Sequence, residues 1–189
     1  MGDRSATGGY DPSGIDIEAW EKLELQLEET IPNYDRVNRL MTFGQDKRWR
    51  RNVRNHAQPG MKVLEVGCGP GSFAEDLTGL DVTCLDPSSE MLKVAKVRVD
   101  AARQSRGEKP AHYVEAIAES IPLDDNMFDM VFCLFSFRDF QDKKQGLAEI
   151  YRVLKPGGRL VICDAGKANW IHGLGGRIWM STVVQWIAR

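Results

Sequence analysis

The fold is decided by residues Met61–Gly71, which read MKVLEVGCGPG. An apolar run over Met61–Val66 leads into a turn with glycine at every second position, Gly67, Gly69 and Gly71. A continuous apolar run is typical of a strand that is buried on both faces, as in a parallel sheet. Glycines after such a strand let the chain bend sharply and let a ligand approach the backbone. The stretch therefore predicts a strand that ends at the ligand-binding edge of an α/β sheet.

Apolar runs and helical patterns alternate in the chain that follows. Further strands are predicted at Val82–Leu85, His112–Ala116, Phe128–Phe137 and Arg159–Cys163. Helices are predicted between them at Ser72–Leu77, Ser88–Gln104 and Lys143–Leu154. This alternation indicates a doubly wound, mostly parallel α/β sheet, and we expect five strands.

The rest of the chain divides into three parts with different patterns. Residues 1–16 are polar and rich in glycine, and we expect a flexible tail. Residues 17–60 contain helical patterns at 17–31, 34–41 and 47–56, and we expect a helical cap. Residues 61–165 are the predicted α/β domain, and residues 166–189 are expected to form a helical segment.

Composition excludes several classes of protein. The 189 residues suit one globular domain, and 25 basic against 27 acidic side chains give no indication of a nucleic-acid partner. The four cysteines have no CxxC spacing, which favours buried thiols in a reducing cytoplasm. No apolar run is long enough for a membrane span. The three histidines are scattered, so we expect no metal site.

Two acidic residues flank the predicted edge of the sheet. Glu65 directly precedes the glycine turn, and Asp86 ends the second predicted strand. A dinucleotide-binding turn has the spacing G-x-G-x-x-G, and a carboxylate beside it would repel a pyrophosphate. An aspartate at the end of the second strand can accept hydrogen bonds from both ribose hydroxyls. An adenosine with a cationic amino-acid tail, S-adenosylmethionine (SAM), satisfies both features; the alternative is a purely structural turn with an incidental aspartate.

Motifs along the chain, in this order, resemble those of class I SAM-dependent methyltransferases. They are EVGCGPG at 65–71, LDPS at 85–88, AESIPL at 118–123, FDMV at 128–131 and LKPGG at 154–158. The resemblance implies a Rossmann-like fold, SAM as cofactor and S-adenosylhomocysteine as product. It assigns cofactor binding to Glu65, Gly67, Cys68, Gly69, Gly71, Asp86, Pro87, Met91, Ile117, Ala118, Glu119 and Phe135.

Three longer stretches resemble one subfamily, the ubiquinone/menaquinone C-methyltransferases. They are YDRVNRLMTFG at 34–44 followed by Trp49, FSFRDF at 135–140 and RVLKPGGRL at 152–160. Because this family methylates a ring carbon of a polyprenyl quinol precursor, the resemblance implies a small, polyprenylated quinol as substrate. Arg138 follows the fourth predicted strand at the carboxyl edge of the sheet, so we expect it to steady the reacting oxygen, and Asp139 is a candidate base. Tyr34, Asn38 and Phe137 would contact the substrate.

The sequence also departs from the family pattern. Ile117 stands where the family commonly has Asn or Asp, which accepts from the adenine amino group. The family chain continues through two more strands, so we expect the C-terminal strand pair to be missing. Two alternatives stay open: another small-molecule methyltransferase, and a non-catalytic SAM-binding or scaffold protein. The alternative role for Arg138 is a surface ion pair with Asp139 or Asp142.

Two regions could contact a membrane surface. Residues 47–51 read KRWRR and, with Arg54, form the densest basic cluster of the chain. Tryptophans recur near the end of the sequence at Trp170, Trp179 and Trp186. Solvated or core-covering faces are one interpretation, and peripheral contact with anionic lipid is the other. The oligomeric state is not predicted.

Overall fold

The computed structural model describes residues 33–164. Two α-helices come first, α1 (Tyr34–Met41) and α2 (Asp46–Arg54). Five strands follow, with bounds at β1 (Lys62–Val66), β2 (Asp81–Asp86), β3 (His112–Glu115), β4 (Phe128–Leu134) and β5 (Leu154–Cys163). The longer helices α3 (Ser89–Ser105) and α4 (Lys143–Val153) and two short 3₁₀ helices, Ala74–Asp76 and Phe137–Asp139, lie between them.

The five strands form one sheet in the order β3-β2-β1-β4-β5, and every neighbouring pair is parallel. β1 lies in the centre, where Val63 pairs with Val82 of β2 and with Met130 of β4. The predicted doubly wound parallel sheet is confirmed. Because the strands are parallel, their carboxyl ends meet at one edge, and the glycine turn after β1 lies at the point where the strand order reverses.

Each face of the sheet buries its own apolar cluster, because successive side chains of a strand point to opposite faces. Val63 of β1 packs into the cluster that contains Ala95 and Val99 of α3. Leu64, its neighbour, packs into the cluster that contains Ile150 of α4. The helices therefore cover both faces, which explains why the strands are continuously apolar in sequence.

Three elements of the α/β domain differ most from the bounds predicted from the sequence. The helix predicted at Ser72–Leu77 is only a 3₁₀ helix, because the chain must reach β2 within a few residues. The fourth strand, predicted to reach Phe137, ends at Leu134, since Phe135 turns to a φ of 61°. β5 begins before Arg159, at Leu154, and a register shift against β4 absorbs the Pro-Gly-Gly sequence.

Helices α1 and α2 confirm two of the three helical patterns predicted before the glycine turn. Arg50 and Arg54 of α2 donate to the backbone carbonyls of Ser72 and Thr78, which ties α2 to the segment after the turn. The predicted tail 1–16, the helix 17–31 and the segment 166–189 lie outside the described residues. No helix within residues 33–164 is long and apolar enough to cross a membrane.

Candidate functional site

The glycine turn is bound to the end of β2 by backbone hydrogen bonds. Gly67 and Cys68 both donate their N–H to the carbonyl oxygen of Leu85, at 2.8 and 3.0 Å. Gly69 donates its N–H to Oδ2 of Asp86 at 2.7 Å. The carboxylate predicted to end the second strand therefore lies directly against the glycine turn.

The second oxygen of the Asp86 carboxylate is also held by the backbone. Oδ1 accepts from the N–H of Ser88 at 3.1 Å, and the Ser88 side chain caps α3 by accepting from the N–H of Met91 at 3.2 Å. Asp86 is buried. Its carboxylate is thus fixed between the glycine turn and the start of α3, where a ribose would meet an oriented acceptor.

A cavity of about 220 Å³ opens at this edge of the sheet. It contains most of the predicted site residues. The predicted cofactor residues that line it are Gly67, Gly69, Asp86, Pro87, Met91, Ile117, Ala118, Glu119 and Phe135. The predicted substrate and catalytic residues that line it are Tyr34, Asn38, Arg138 and Asp139. Predicted residues from five separate stretches of the chain therefore line one cavity.

Four predicted residues are not among those lining the cavity. Cys68 is buried behind the turn and its thiol donates to the carbonyl of Gly69 at 3.4 Å. Gly71 packs on α3, where a Cβ would approach Cγ2 of Val99 to 2.6 Å. Phe137 packs against Phe140, with ring centroids 5.2 Å apart. The fourth, Glu65, lies on the β1 face that carries Val63.

Glu65 is fully enclosed, and its Oε2 has no hydrogen-bond partner. Burial raises the pKa of its carboxyl to about 8; Asp86 adds to the rise, and the guanidinium of Arg50 opposes it. Glu65 therefore carries a proton for most of the time at neutral pH. Of the two predicted carboxylates, Asp86 lines the cavity and Glu65 is enclosed beside it, so the role of Glu65 in cofactor binding stays a prediction.

Phe135 and Ser136, which follow β4, both line the cavity, but only Phe135 was predicted as a site residue. Ser136, which was not predicted as a site residue, lines the cavity and donates its hydroxyl to the carbonyl of Val66 at 2.8 Å. Phe135 adopts a φ of 61°, which costs a residue with a Cβ about 1–2 kcal/mol. The signal available in the sequence was position alone, since both residues follow the end of a buried strand.

The other lining residues that were not predicted are mostly apolar. They are Val37, Val66, Leu85, Ser88, Leu134 and Phe140. Each neighbours a predicted residue along the chain, so the sequence indicated the right segments without showing which side chains turn inward.

Arg138 lies at the rim of the cavity between two carboxylates. Its guanidinium is 3.6 Å from Asp139 Oδ1 and 3.7 Å from Asp164 Oδ1, and its own backbone N–H donates to Asp164. About half of its side chain is exposed. Burial raises the pKa of Asp139, and Arg138 opposes that rise. The guanidinium thus both lines the cavity and forms ion pairs, while Asp142 caps α4 instead of pairing with it.

The side of the cavity formed by α1 carries Tyr34 and Asn38. The Tyr34 hydroxyl lies over the turn, 3.3 Å from where a Cβ on Gly69 would be. Burial raises the pKa of Tyr34, and the neighbouring Asn38 side chain opposes the rise. Nδ2 of Asn38 is buried without a partner. A buried amide donor beside a cavity is available to an acceptor of a bound ligand.

Glu119 shapes the opposite wall. Its Oε1 accepts from the backbone N–H groups of Gln141 and Asp142, at 2.8 and 3.1 Å. The predicted cofactor residue therefore also holds the loop that follows Arg138 and Asp139.

Curated proteins from several bacteria are similar to this chain. A demethylmenaquinone methyltransferase of Renibacterium salmoninarum is 36% identical over 148 residues, which are 76% of this chain and 59% of the relative. A ubiquinone/menaquinone biosynthesis C-methyltransferase of Geotalea daltonii is 36% identical over 161 residues, 82% of this chain and 67% of the relative. The chain thus spans about three fifths to two thirds of the length of these relatives.

Solved structures agree with the fold. A putative methyltransferase of Bacillus halodurans has a TM-score of 0.57 at 27% identity, covering 65% of this chain and 53% of that one. A SAM-dependent methyltransferase of Aquifex aeolicus has a TM-score of 0.55 at 25% identity, covering 90% and 88%. Residues 21–174 match the model of one family, and on this match the chain belongs to the ubiE/COQ5 methyltransferase family.

Proposed function

We propose that this chain binds SAM in the cavity at the edge of the sheet and uses it to methylate a ring carbon of a quinol precursor. The observation that carries the proposal is the placement of Asp86, fixed against the glycine turn and facing the cavity. The names of the similar curated proteins support the class of acceptor.

The residues present fit the nucleoside half of such a cofactor. Asp86 offers carboxylate oxygens to the ribose hydroxyls, and Pro87, Met91 and Ile117 supply apolar surface for a flat base. The glycine turn offers backbone without side chains, which allows close approach. The glycine spacing, G-x-G-x-G at 67–71, departs from the G-x-G-x-x-G turn that binds the pyrophosphate of a dinucleotide.

The residues at the other end of the cavity fit the acceptor. When bound, SAM would supply an activated methyl group for in-line transfer to the ring carbon, with S-adenosylhomocysteine as the leaving group, and the ring carbon would then release its proton to solvent as the ring regains aromaticity. Arg138 places a cation at the rim, where it stabilises a quinol oxygen that has lost its proton. Asp139, whose pKa is raised by burial, is positioned to take that proton. The walls formed by Phe135 and Phe140 exclude water and hold the ring in reach of the methyl group.

The direct test is methyl transfer from isotopically labelled SAM, followed by mass spectrometry of the acceptor. A demethylated quinol should gain one labelled methyl group on carbon, and S-adenosylhomocysteine should form in equal amount. Labelling of another small molecule in an extract would retain the methyltransferase class and change the acceptor. Binding of SAM with no labelled product from quinols or extracts would favour a non-catalytic SAM-binding protein.

A peripheral contact with anionic lipid is a second, finer part of the proposal. Lys47, Arg48 and Arg51 are exposed on α2 and give this helix a cationic face. Binding of this cationic face to anionic lipid would bring the protein to the membrane that holds a polyprenyl acceptor. Sedimentation with vesicles rich in anionic lipid should be lost on changing Lys47 and Arg48 to Gln. Equal sedimentation of wild type and variant would refute the contact.

A further inference from the structure

Helix α1 is attached to the rest of the described structure by a set of polar contacts. It forms one wall of the cavity through Tyr34, Val37 and Asn38. None of its described side chains belongs to either apolar cluster of the sheet. Because packing into the core supplies most of the stability of a short helix, the polar contacts that attach α1 matter for its position.

That attachment is made by Asp35, which points away from the cavity wall. Its Oδ1 accepts from the Ser72 hydroxyl at 2.5 Å, and its Oδ2 accepts from Nη2 of Arg98 at 2.6 Å. Arg98 closes the triangle by donating to the Ser72 hydroxyl at 3.0 Å. Ser72 directly follows the glycine turn and Arg98 belongs to α3, so one carboxylate of α1 is bound to both elements that frame the cofactor side of the cavity.

Surrounding charges favour this arrangement. Glu75 lies 2.8 Å from Nη2 of Arg98 and orients the guanidinium. Arg50 donates to the carbonyl of Ser72 at 2.9 Å and lies 4.0 Å from Asp35. Desolvation tends to raise the pKa of Asp35, but the hydrogen bonds from Ser72 and Arg98 outweigh it and leave that pKa below its usual value. Asp35 is therefore ionised at neutral pH.

We propose that Asp35, Ser72 and Arg98 form a latch that positions α1 as a movable wall of the cavity and sets how fast the cofactor leaves. This inference rests on the proposed function for the identity of the cofactor. The three residues act through α1 and do not touch the ligand, so they are positioning residues. The latch is partly exposed, with 45% of the Asp35 side chain and 29% of the Arg98 side chain accessible, so its opening lies within reach of thermal motion.

The test compares Asp35→Asn, Arg98→Gln and the double variant with wild type. Each single change should speed hydrogen exchange of the α1 amides about tenfold without ligand, since charge-assisted hydrogen bonds are lost. Dissociation of S-adenosylhomocysteine, followed by rapid mixing, should accelerate by a similar factor. The double variant should be no faster than either single one, because both changes break the same contact.

A matched control is Asp129→Asn, which breaks the ion pair with Lys155 (30% and 40% exposed) away from the cavity. It should change neither α1 exchange nor ligand dissociation. The thermal unfolding midpoint of each variant is measured as well. Faster α1 exchange with an unchanged midpoint indicates release of α1, and a lowered midpoint indicates general destabilisation. Unchanged α1 exchange in Asp35→Asn, or unchanged dissociation from a wild type that binds, would overturn the latch. A wild type that binds no ligand would refute the proposed function, and with it the role in cofactor release, while the exchange rates would still decide the attachment of α1.

Discussion

Ser136 occupies the space in which a side chain on Gly67 would lie. A Cβ on Gly67 would approach Oγ of Ser136 to 2.6 Å, and Gly67 also has a φ of 70°. Both the end of β4 and the glycine turn are held by this contact, because Ser136 donates to the carbonyl of Val66. We expect Gly67→Ala to lower the free energy of unfolding by about 2–4 kcal/mol, measured by urea denaturation.

Gly60→Ala is the matched control for this prediction. Gly60 has a similar positive φ of 85°, but a Cβ there would meet nothing within 4 Å. Its substitution should cost only the backbone strain, about 1 kcal/mol. If Gly67→Ala costs no more than Gly60→Ala, the close packing of Ser136 on the turn is not a real constraint.

The contact between Ser136 and Gly67 shows why the fold was more predictable than the details of the site. Apolar runs and glycines are local signals, and they identified the sheet, its parallel order and the position of Asp86. The approach of Ser136 to Gly67 joins residues far apart in sequence and leaves no local pattern. The sequence identified the right turn but gave no indication of what the first glycine accommodates.

Glu65 makes stability depend on pH. Burial raises the pKa of its carboxyl from 4.5 to about 8, so the folded protein keeps a proton that the unfolded chain releases between these values. The contribution of the bound Glu65 proton to the stability of the folded protein is therefore complete below about pH 4.5. It is lost as the pH rises through about 8. Glu65→Gln stays neutral, and its stability relative to wild type should increase from pH 5 to pH 9, by on the order of 3 kcal/mol.

Chemical denaturation at several pH values measures this effect, with Glu115→Gln at an exposed position of β3 as control. A constant difference between Glu65→Gln and wild type across that range would contradict the raised pKa. The sequence could not show this property, since the same carboxylate is charged when exposed and neutral when enclosed.

Substitution of Ile117 is expected to raise the affinity for SAM. It lines the cavity at the position where the family commonly has Asn or Asp. Ile117→Asn should restore a hydrogen bond to the adenine amino group and tighten SAM binding about fivefold, or about 1 kcal/mol. Titration calorimetry measures the change, with Ile117→Leu as the apolar control. Unchanged or weaker binding by Ile117→Asn would place the adenine elsewhere in the cavity.

Arg138 should affect turnover and leave cofactor binding nearly unchanged. Its guanidinium lies at the rim, after β4, whereas Asp86 ends β2 on the other side of β1, and its proposed role is to stabilise developing charge on the acceptor. We expect Arg138→Ala to lower kcat by about 100-fold, with less than a threefold change in the Kd of SAM. Arg159 is exposed on the edge strand β5 and is not among the residues lining the cavity. Arg159→Ala should therefore change neither kcat nor the Kd of SAM. Equal losses of turnover and SAM affinity in Arg138→Ala would indicate a structural role in the pairs with Asp139 and Asp164.

If Asp86 selects an adenosine ligand at the glycine turn, calorimetric titration of Asp86→Asn with SAM and S-adenosylhomocysteine will show it. Wild type and Asp81→Asn, which changes the exposed opposite end of the same strand, should bind both ligands equally well. Asp86→Asn should bind both at least about tenfold more weakly, because one charged acceptor is lost. Absence of wild-type binding at millimolar ligand, or wild-type affinity in Asp86→Asn, would contradict the account.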